Sequence, residues 1–259
     1  MRCVRAAQGM LLAMANVAVR VAAAIFALTW LVLPGFGVID LSVTWNADWP
    51  VMLEAGWGLL FSGLVGAAFL AIAVSPRRAA APITQLLAVT AALALSAVLS
   101  DEWRLLTLAA AVGLETAGLW LAAGRVPLRP HRAALSRPLA ALAMVGAVPW
   151  LLYAVTMYRA NRQGAAIDIT LGINHYAVQG ALALALVILA GLASEWPHLR
   201  RLTGTLIGLV AIYLGTVSLF WQGTLAGYDK GWSALTVAWG AGIAALSVLS
   251  RANPTNSQA

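Results

Sequence analysis

Charge is scarce in this chain: only 10% of its 259 residues are Asp, Glu, Lys or Arg, against 62% hydrophobic. A water-soluble domain carries about a quarter charged residues, so this chain has too little polar surface to cover a soluble fold. Lysine is nearly missing as well, since Lys230 is the only lysine among 16 basic residues. With so much alanine and glycine, that bias points to a GC-rich bacterial genome. The single cysteine, Cys3, excludes an internal disulfide and CxxC redox chemistry. No G-x-x-x-x-G-K-[ST], H-E-x-x-H or G-x-S-x-G motif occurs, so phosphate-loop, zincin and serine-hydrolase chemistries have no anchor. Of the three histidines, His131 and His198 fall on the opposite side of the expected membrane from His175. Neither a metal site nor a bis-histidine haem is therefore expected, and no cofactor is called for.

What the chain does have is long apolar runs, at 15–36, 51–74, 82–100, 104–123, 138–158, 175–194, 203–222 and 232–250. A helix of about 20 such residues spans a hydrocarbon core of roughly 30 Å. Proline or charge closes most runs, as in "SPRR", "SDEWR", "GRVPLRPHR" and "SEWPHLRR". The expected fold is all-α: an integral membrane bundle of eight transmembrane helices. Residues 1–250 form one domain and 251–259 a short cytoplasmic tail. Arg20 interrupts the first run and no small-residue cleavage site precedes a polar domain, so the first run reads as a retained helix rather than a signal peptide.

The net charge of +7 does not signal nucleic acid, because the basic residues sit in connections between runs. With the N-terminus inside, eleven lie on the cytoplasmic side: Arg2, Arg5, Arg77, Arg78, Arg125, Arg129, Arg132, Arg137, Arg200, Arg201 and Arg251. Four lie outside, Arg104, Arg159, Arg162 and Lys230, and Arg20 snorkels from within the first span. This asymmetry places both termini in the cytoplasm of a multi-pass plasma-membrane protein. Trp45, Trp49, Trp57, Trp103, Trp221 and Trp232 gather at the outer ends and Trp196 at an inner one, where indoles anchor at headgroup level. The basic, proline-broken loop 125–137 is expected to lie against anionic lipid.

"DEWRLLTLAAAVG" (101–113) and "DKGWSALTVAWGAG" (229–242) align on Trp103 and Trp232. Both read W-x-x-L-T, with Gly113 on Gly242. Outer loops are long after spans one and five and short after three and seven. A parallel four-plus-four duplication fits both features, and parallel repeats occur among transporters. Gly63, Gly66, Gly113, Gly118, Gly240 and Gly242 are expected to allow close helix approach.

Glu115 sits at the middle of the fourth run, where a carboxylate costs on the order of 3 kcal/mol even on insertion scales. It should face the bundle or a wet cavity, either as a protonatable or ligand-binding group or as interhelical glue. In "DITLGINHYAVQG" (168–180), Asp168 or Thr170 is a candidate helix cap. His175 and Gln179, four apart, share one helix face and could line an outer vestibule or simply be solvated. Glu54 enters span two at a depth similar to His175, and Arg104 stands at the outer mouth, as do Asp229 and Lys230. These give the substrate or proton pathway candidates Glu115, His175, Gln179, Asp168, Glu54 and Arg104, with no catalytic residue assigned.

"DITLGINHYAVQGALALAL" and "LGTVSLFWQGTLAGYDKGWSALTVAWG" resemble segments of uncharacterised polytopic membrane proteins from GC-rich bacteria. The resemblance implies the topology and no activity, and it draws attention to Asp168, Gly172, His175, Gln179, Gly231 and Trp232. The leading expectation is a permease-like protein with a small-molecule substrate, an outer vestibule and a mid-membrane carboxyl. The alternatives are a structural or accessory subunit, or an envelope enzyme using Asp168 and His175 on a lipid-linked substrate.

Overall fold

The computed structural model describes residues 2–128, 134–165 and 169–250, with side chains from residue 16 onward. The described elements are helices and one small hairpin. The helices are α1 (Arg2–Leu31), α2 (Gly37–Val43), α3 (Val51–Val74), α4 (Ala80–Ser100), α5 (Leu105–Ala122), α6 (Arg137–Arg162), α7 (His175–Glu195), α8 (Pro197–Phe220) and α9 (Lys230–Leu249). Strands β1 (Ile169–Thr170) and β2 (Ile173–Asn174) pair antiparallel just before α7. Seven helices, α3 to α9, are long and apolar enough to cross a membrane. In α1 the apolar stretch Asn16–Leu31 is shorter.

Helix starts follow local chemistry. Asp229 caps α9, its Oδ1 accepting from the Trp232 N–H at 2.9 Å. The cap of α7 is neither Asp168 nor Thr170 but Asn174, whose Oδ1 accepts from the Tyr176 N–H at 3.1 Å. Asn174 immediately precedes the first helical residue, whereas the hairpin pairs Thr170 with Ile173 and turns its hydroxyl to another task. Proline opens both α8 and the turn before α4. Ser75 (φ −140°, ψ 76°) and Trp196 (φ −108°, ψ 106°) are each non-helical, and each is followed by a proline, Pro76 or Pro197. Proline is favoured there because a first-turn N–H would have no helical acceptor.

The interior is formed by α3, α4, α7 and α8, which are mostly buried. By contrast α5, α6 and α9 are mostly exposed. Outer helices lie alongside inner ones, α1 against α3, α5 against α4, α6 against α7 and α9 against α8. Their outward faces are strongly apolar, with Leu114 74%, Val145 70% and Met144 69% exposed. Such a surface would drive association in water; against lipid it is the expected one.

Between helices in lipid there is little hydrophobic drive, so close van der Waals fit through small residues carries the packing. Backbone meets backbone where α8 lies on α9: a Cβ on Gly208 would lie 2.6 Å from the Gly240 carbonyl oxygen, and the reverse holds as well. Gly66 and Gly242 likewise meet Leu31 and Leu142, while Gly118 has open space where its side chain would be. Gly208→Val is therefore expected to destabilise by about 2 kcal/mol or more through overpacking. Gly118→Ala should be neutral or stabilising, since alanine is the better helix former. Thermal melts of the purified variants check this, and a Gly208→Val protein as stable as wild type would contradict the packing.

Candidate functional site

The hairpin before α7 sets up the most polar part of the interior. Leu171 (φ 55°) and Gly172 (φ 77°) are both left-handed, the geometry of a two-residue type I′ turn. Arg104 at the start of α5 fixes that turn, its Nη1 donating to the Gly172 carbonyl at 2.9 Å. Asn174 ties down the other side by donating to the Ala165 carbonyl at 2.8 Å. Thr170 and His175 are thus brought together, with Thr170 Oγ1 2.8 Å from His175 Nε2.

His175 is fully buried, and its ring stacks on Trp57 of α3 with centroids 4.6 Å apart. Glu54, 3% exposed, lies three residues before Trp57 and so on the same side of α3. Gln179, one turn beyond His175, is also fully buried and donates from Nε2 to the Tyr153 hydroxyl of α6 at 2.8 Å. Tyr153 in turn donates to the Ala226 carbonyl at 2.7 Å, and its ring lies 4.7 Å from that of Tyr228. Burial raises the Tyr228 hydroxyl pKa well above its usual value, so this loop phenol stays neutral. Gly56 leaves the space that Gln179 fills: a Cβ there would lie 1.3 Å from Gln179 Oε1. A carboxyl, an imidazole and an amide are therefore all buried within about two helical turns of the starts of α3 and α7, the last two against aromatic side chains.

Directly after this cluster α3 changes its winding. Residues Leu59–Gly66 are π-helical, inside an otherwise α-helical span. Such segments leave carbonyls poorly matched and are frequent at functional sites. Gln85 of α4, fully buried, donates to the Leu64 carbonyl at 2.7 Å, and the Ser62 hydroxyl donates to the Gly58 carbonyl at 2.5 Å.

Glu115 is placed elsewhere. It is half-buried on the seam between α5 and α1, where its Oε2 accepts from the Trp30 indole N–H at 2.6 Å. Trp30 itself stacks on Phe61 of α3, centroids 5.1 Å apart. The carboxyl thus joins outer helices to the interior and lies apart from the His175 cluster. Asp168 lies outside the described residues, as do Arg129, His131 and Arg132 of the basic loop. The described end of that loop is fastened by Arg200, 6% exposed, which donates to the Ala134 and Ser194 carbonyls. It behaves as a buried cap on the C-terminus of α7 rather than as a solvated loop charge. Trp57 likewise departs from an interfacial anchor: it is 1% exposed and donates to the Gly35 carbonyl at 2.8 Å. Its position one turn after Glu54 puts it on the inward side of α3.

Among the described residues no group of three or more His, Cys, Asp or Glu is arranged to hold a metal ion. Sequence reasoning missed Trp57, Tyr153 and Gln85 as members of the polar interior. Gln85, isolated in "ITQLLAVTAALAL", carried a signal; the two aromatics read equally well as anchors or filler. Comparisons with family models, curated proteins and solved structures find no match to this chain.

If Glu115 is a fastening between helices, Glu115→Gln should stay near wild-type stability, because an amide oxygen still accepts from Trp30. Glu115→Leu removes that acceptor and is expected to lose roughly 1–3 kcal/mol. Equal melting temperatures for the two variants would contradict the role.

Proposed function

We propose that this chain is a secondary permease of the bacterial plasma membrane, with eight spans, both termini cytoplasmic, and a proton-binding centre at Glu54 and His175. The observation that carries the reading is the enclosure of an acid and a histidine on two of the four interior helices, beside a π-helical segment. Ionisable residues within membrane helices are expensive and mark ion and proton pathways.

The spacing of the chain supports the same reading. Ser75–Pro76 and Trp196–Pro197 are separated by 121 residues, and Glu54 and His175 are separated by the same 121. Buried Trp30 and Trp150, in "ALTWL" and "AVPWL", stand 120 apart. This shift carries α1, α3 and α4 onto α6, α7 and α8. The W-x-x-L-T match between Trp103 and Trp232 needs a larger shift because the connection before α9 is longer than the one before α5. Two parallel four-span halves then share a centre formed by Glu54 from one and His175 from the other. A site between repeats is where rocking of one half against the other gives alternating access. The Arg-rich connections favour an N-terminus inside, which puts His175 near the outer face. The substrate is a small molecule admitted at that face past Arg104 and the Thr170–Gly172 turn.

A second reading, a structural or accessory subunit, draws on the Glu115–Trp30 bond, which fastens helices without exposing a site. The enzyme reading depends on Asp168 beside His175, and Asp168 lies outside the described residues.

A stacked indole reports protonation of its imidazole partner. Tryptophan emission of the purified protein, taken as the difference from Trp57→Phe, should change with pH over the range in which the protein stays folded. His175→Gln should abolish the change and Glu54→Gln should displace it along the pH axis. A wild-type signal that is flat over this range would contradict a proton-binding centre.

A further inference from the structure

A groove runs along the outward side of α6. It is lined by Leu151, Val155, Arg159 and Arg162 of α6 with Leu99 of α4 and Leu184 of α7, and encloses about 260 Å³. Its floor is the buried ring of Tyr158, which lies over Gly180 so closely that a Cβ there would be 2.2 Å from the ring. The Tyr158 hydroxyl is taken up by Ser96, 2.5 Å away, so the floor offers carbon and no free hydroxyl.

The groove is graded along its length. From Leu151 to Arg162 the helix rises about 16 Å, which matches one leaflet's half of a roughly 30 Å hydrocarbon core. Its deep part is leucine, valine and alanine, and both cations are at the end of α6 where headgroups would lie. Arg162 is steered by the end of α4, with its Nη2 3.4 Å from the Val98 carbonyl, while Arg159 is exposed. Among the described lining residues none is acidic, and the two charged ones are both arginine. An acyl-chain channel ending in two guanidinium groups is complementary to a lipid phosphate, which arginine binds in bidentate fashion.

We infer that this groove binds one phospholipid with an anionic headgroup, its acyl chain along α6 between Leu99 and Leu184 and its phosphate on Arg159 and Arg162. The occupant lies where α6 of one proposed half meets α4 of the other. Its binding, however, is a property of the groove and stands whether or not the chain is a permease.

Native mass spectrometry on protein exchanged into detergent with phosphatidylglycerol or phosphatidylethanolamine tests the site. Wild type should retain one phosphatidylglycerol, at least fivefold above phosphatidylethanolamine. Arg159→Gln/Arg162→Gln should remove that preference, and Val155→Trp, at an exposed lining position, should reduce retention of phosphatidylglycerol by obstructing the channel. Arg77→Gln/Arg78→Gln, at the other end of the bundle, should leave it unchanged. Equal retention of the two lipids by wild type, or undiminished retention in both groove variants, would overturn the assignment. An equal loss in the Arg77/Arg78 variant would also overturn it, since that result means diffuse charge and not this groove.

Discussion

Polar groups inside a lipid-embedded bundle have no water to fall back on, and this constraint governs how the four interior helices are put together. Each buried amide, hydroxyl or indole must find its partner within the protein, or cost several kcal/mol. Gln85 Nε2 donating to the Leu64 carbonyl, Gln179 Nε2 donating to Tyr153 and the Trp57 indole donating to Gly35 meet that requirement for these three donors. Each joins different elements: α4 to α3, α7 to α6, and α3 to the turn that follows α1. The π-helical stretch of α3 is tolerable for the same reason, because a neighbouring helix supplies a donor for one of its carbonyls.

Around this interior, the outer helices are held by shape and by single polar fastenings. α8 and α9 meet backbone to backbone at Gly208 and Gly240. α9 is further joined to α6 by the Trp239 indole, which donates to the Leu142 carbonyl at 2.8 Å. On the other side, Trp30 and Glu115 fasten α1 to α5. Buried Trp150 of α6 meets the same Trp239 edge-on, with ring centroids 5.9 Å apart. The cluster of Glu54, His175 and Gln179 lies inside both sets of fastenings.

Much of the helical arrangement was legible in the sequence because the bilayer imposes length: runs near 20 apolar residues leave few alternatives to helices. Helix ends were less legible. α6 continues through Arg159 and Arg162 because long arginine side chains can leave the apolar zone while their backbone remains helical. α8 begins at Pro197, ahead of its apolar run, because proline serves as a first helical residue. The site was legible only in part. His175, Gln179 and Glu54 stood out as polar residues in apolar runs, and the structure encloses all three. Glu115 stood out for the same reason and is fastened to Trp30 instead. Composition marks a costly residue but not the direction it faces. Trp57 and Tyr153 were invisible because aromatic residues near helix ends are ordinary in any membrane protein; only the packing of α3 and α6 against α7 turns them inward.

The central claim is that the enclosed cluster opens to water. Because Cys3 is the only cysteine, Cys3→Ser gives a cysteine-free background for single reporters. Gln179→Cys in that background should be modified in intact cells by a membrane-impermeant maleimide at a measurable rate. Leu86→Cys, equally buried in the interior, should stay unmodified. Labelling at position 179 alone is the result the account predicts. If position 179 is as inert as position 86 under all conditions, the cluster is a sealed structural core and the permease reading is contradicted.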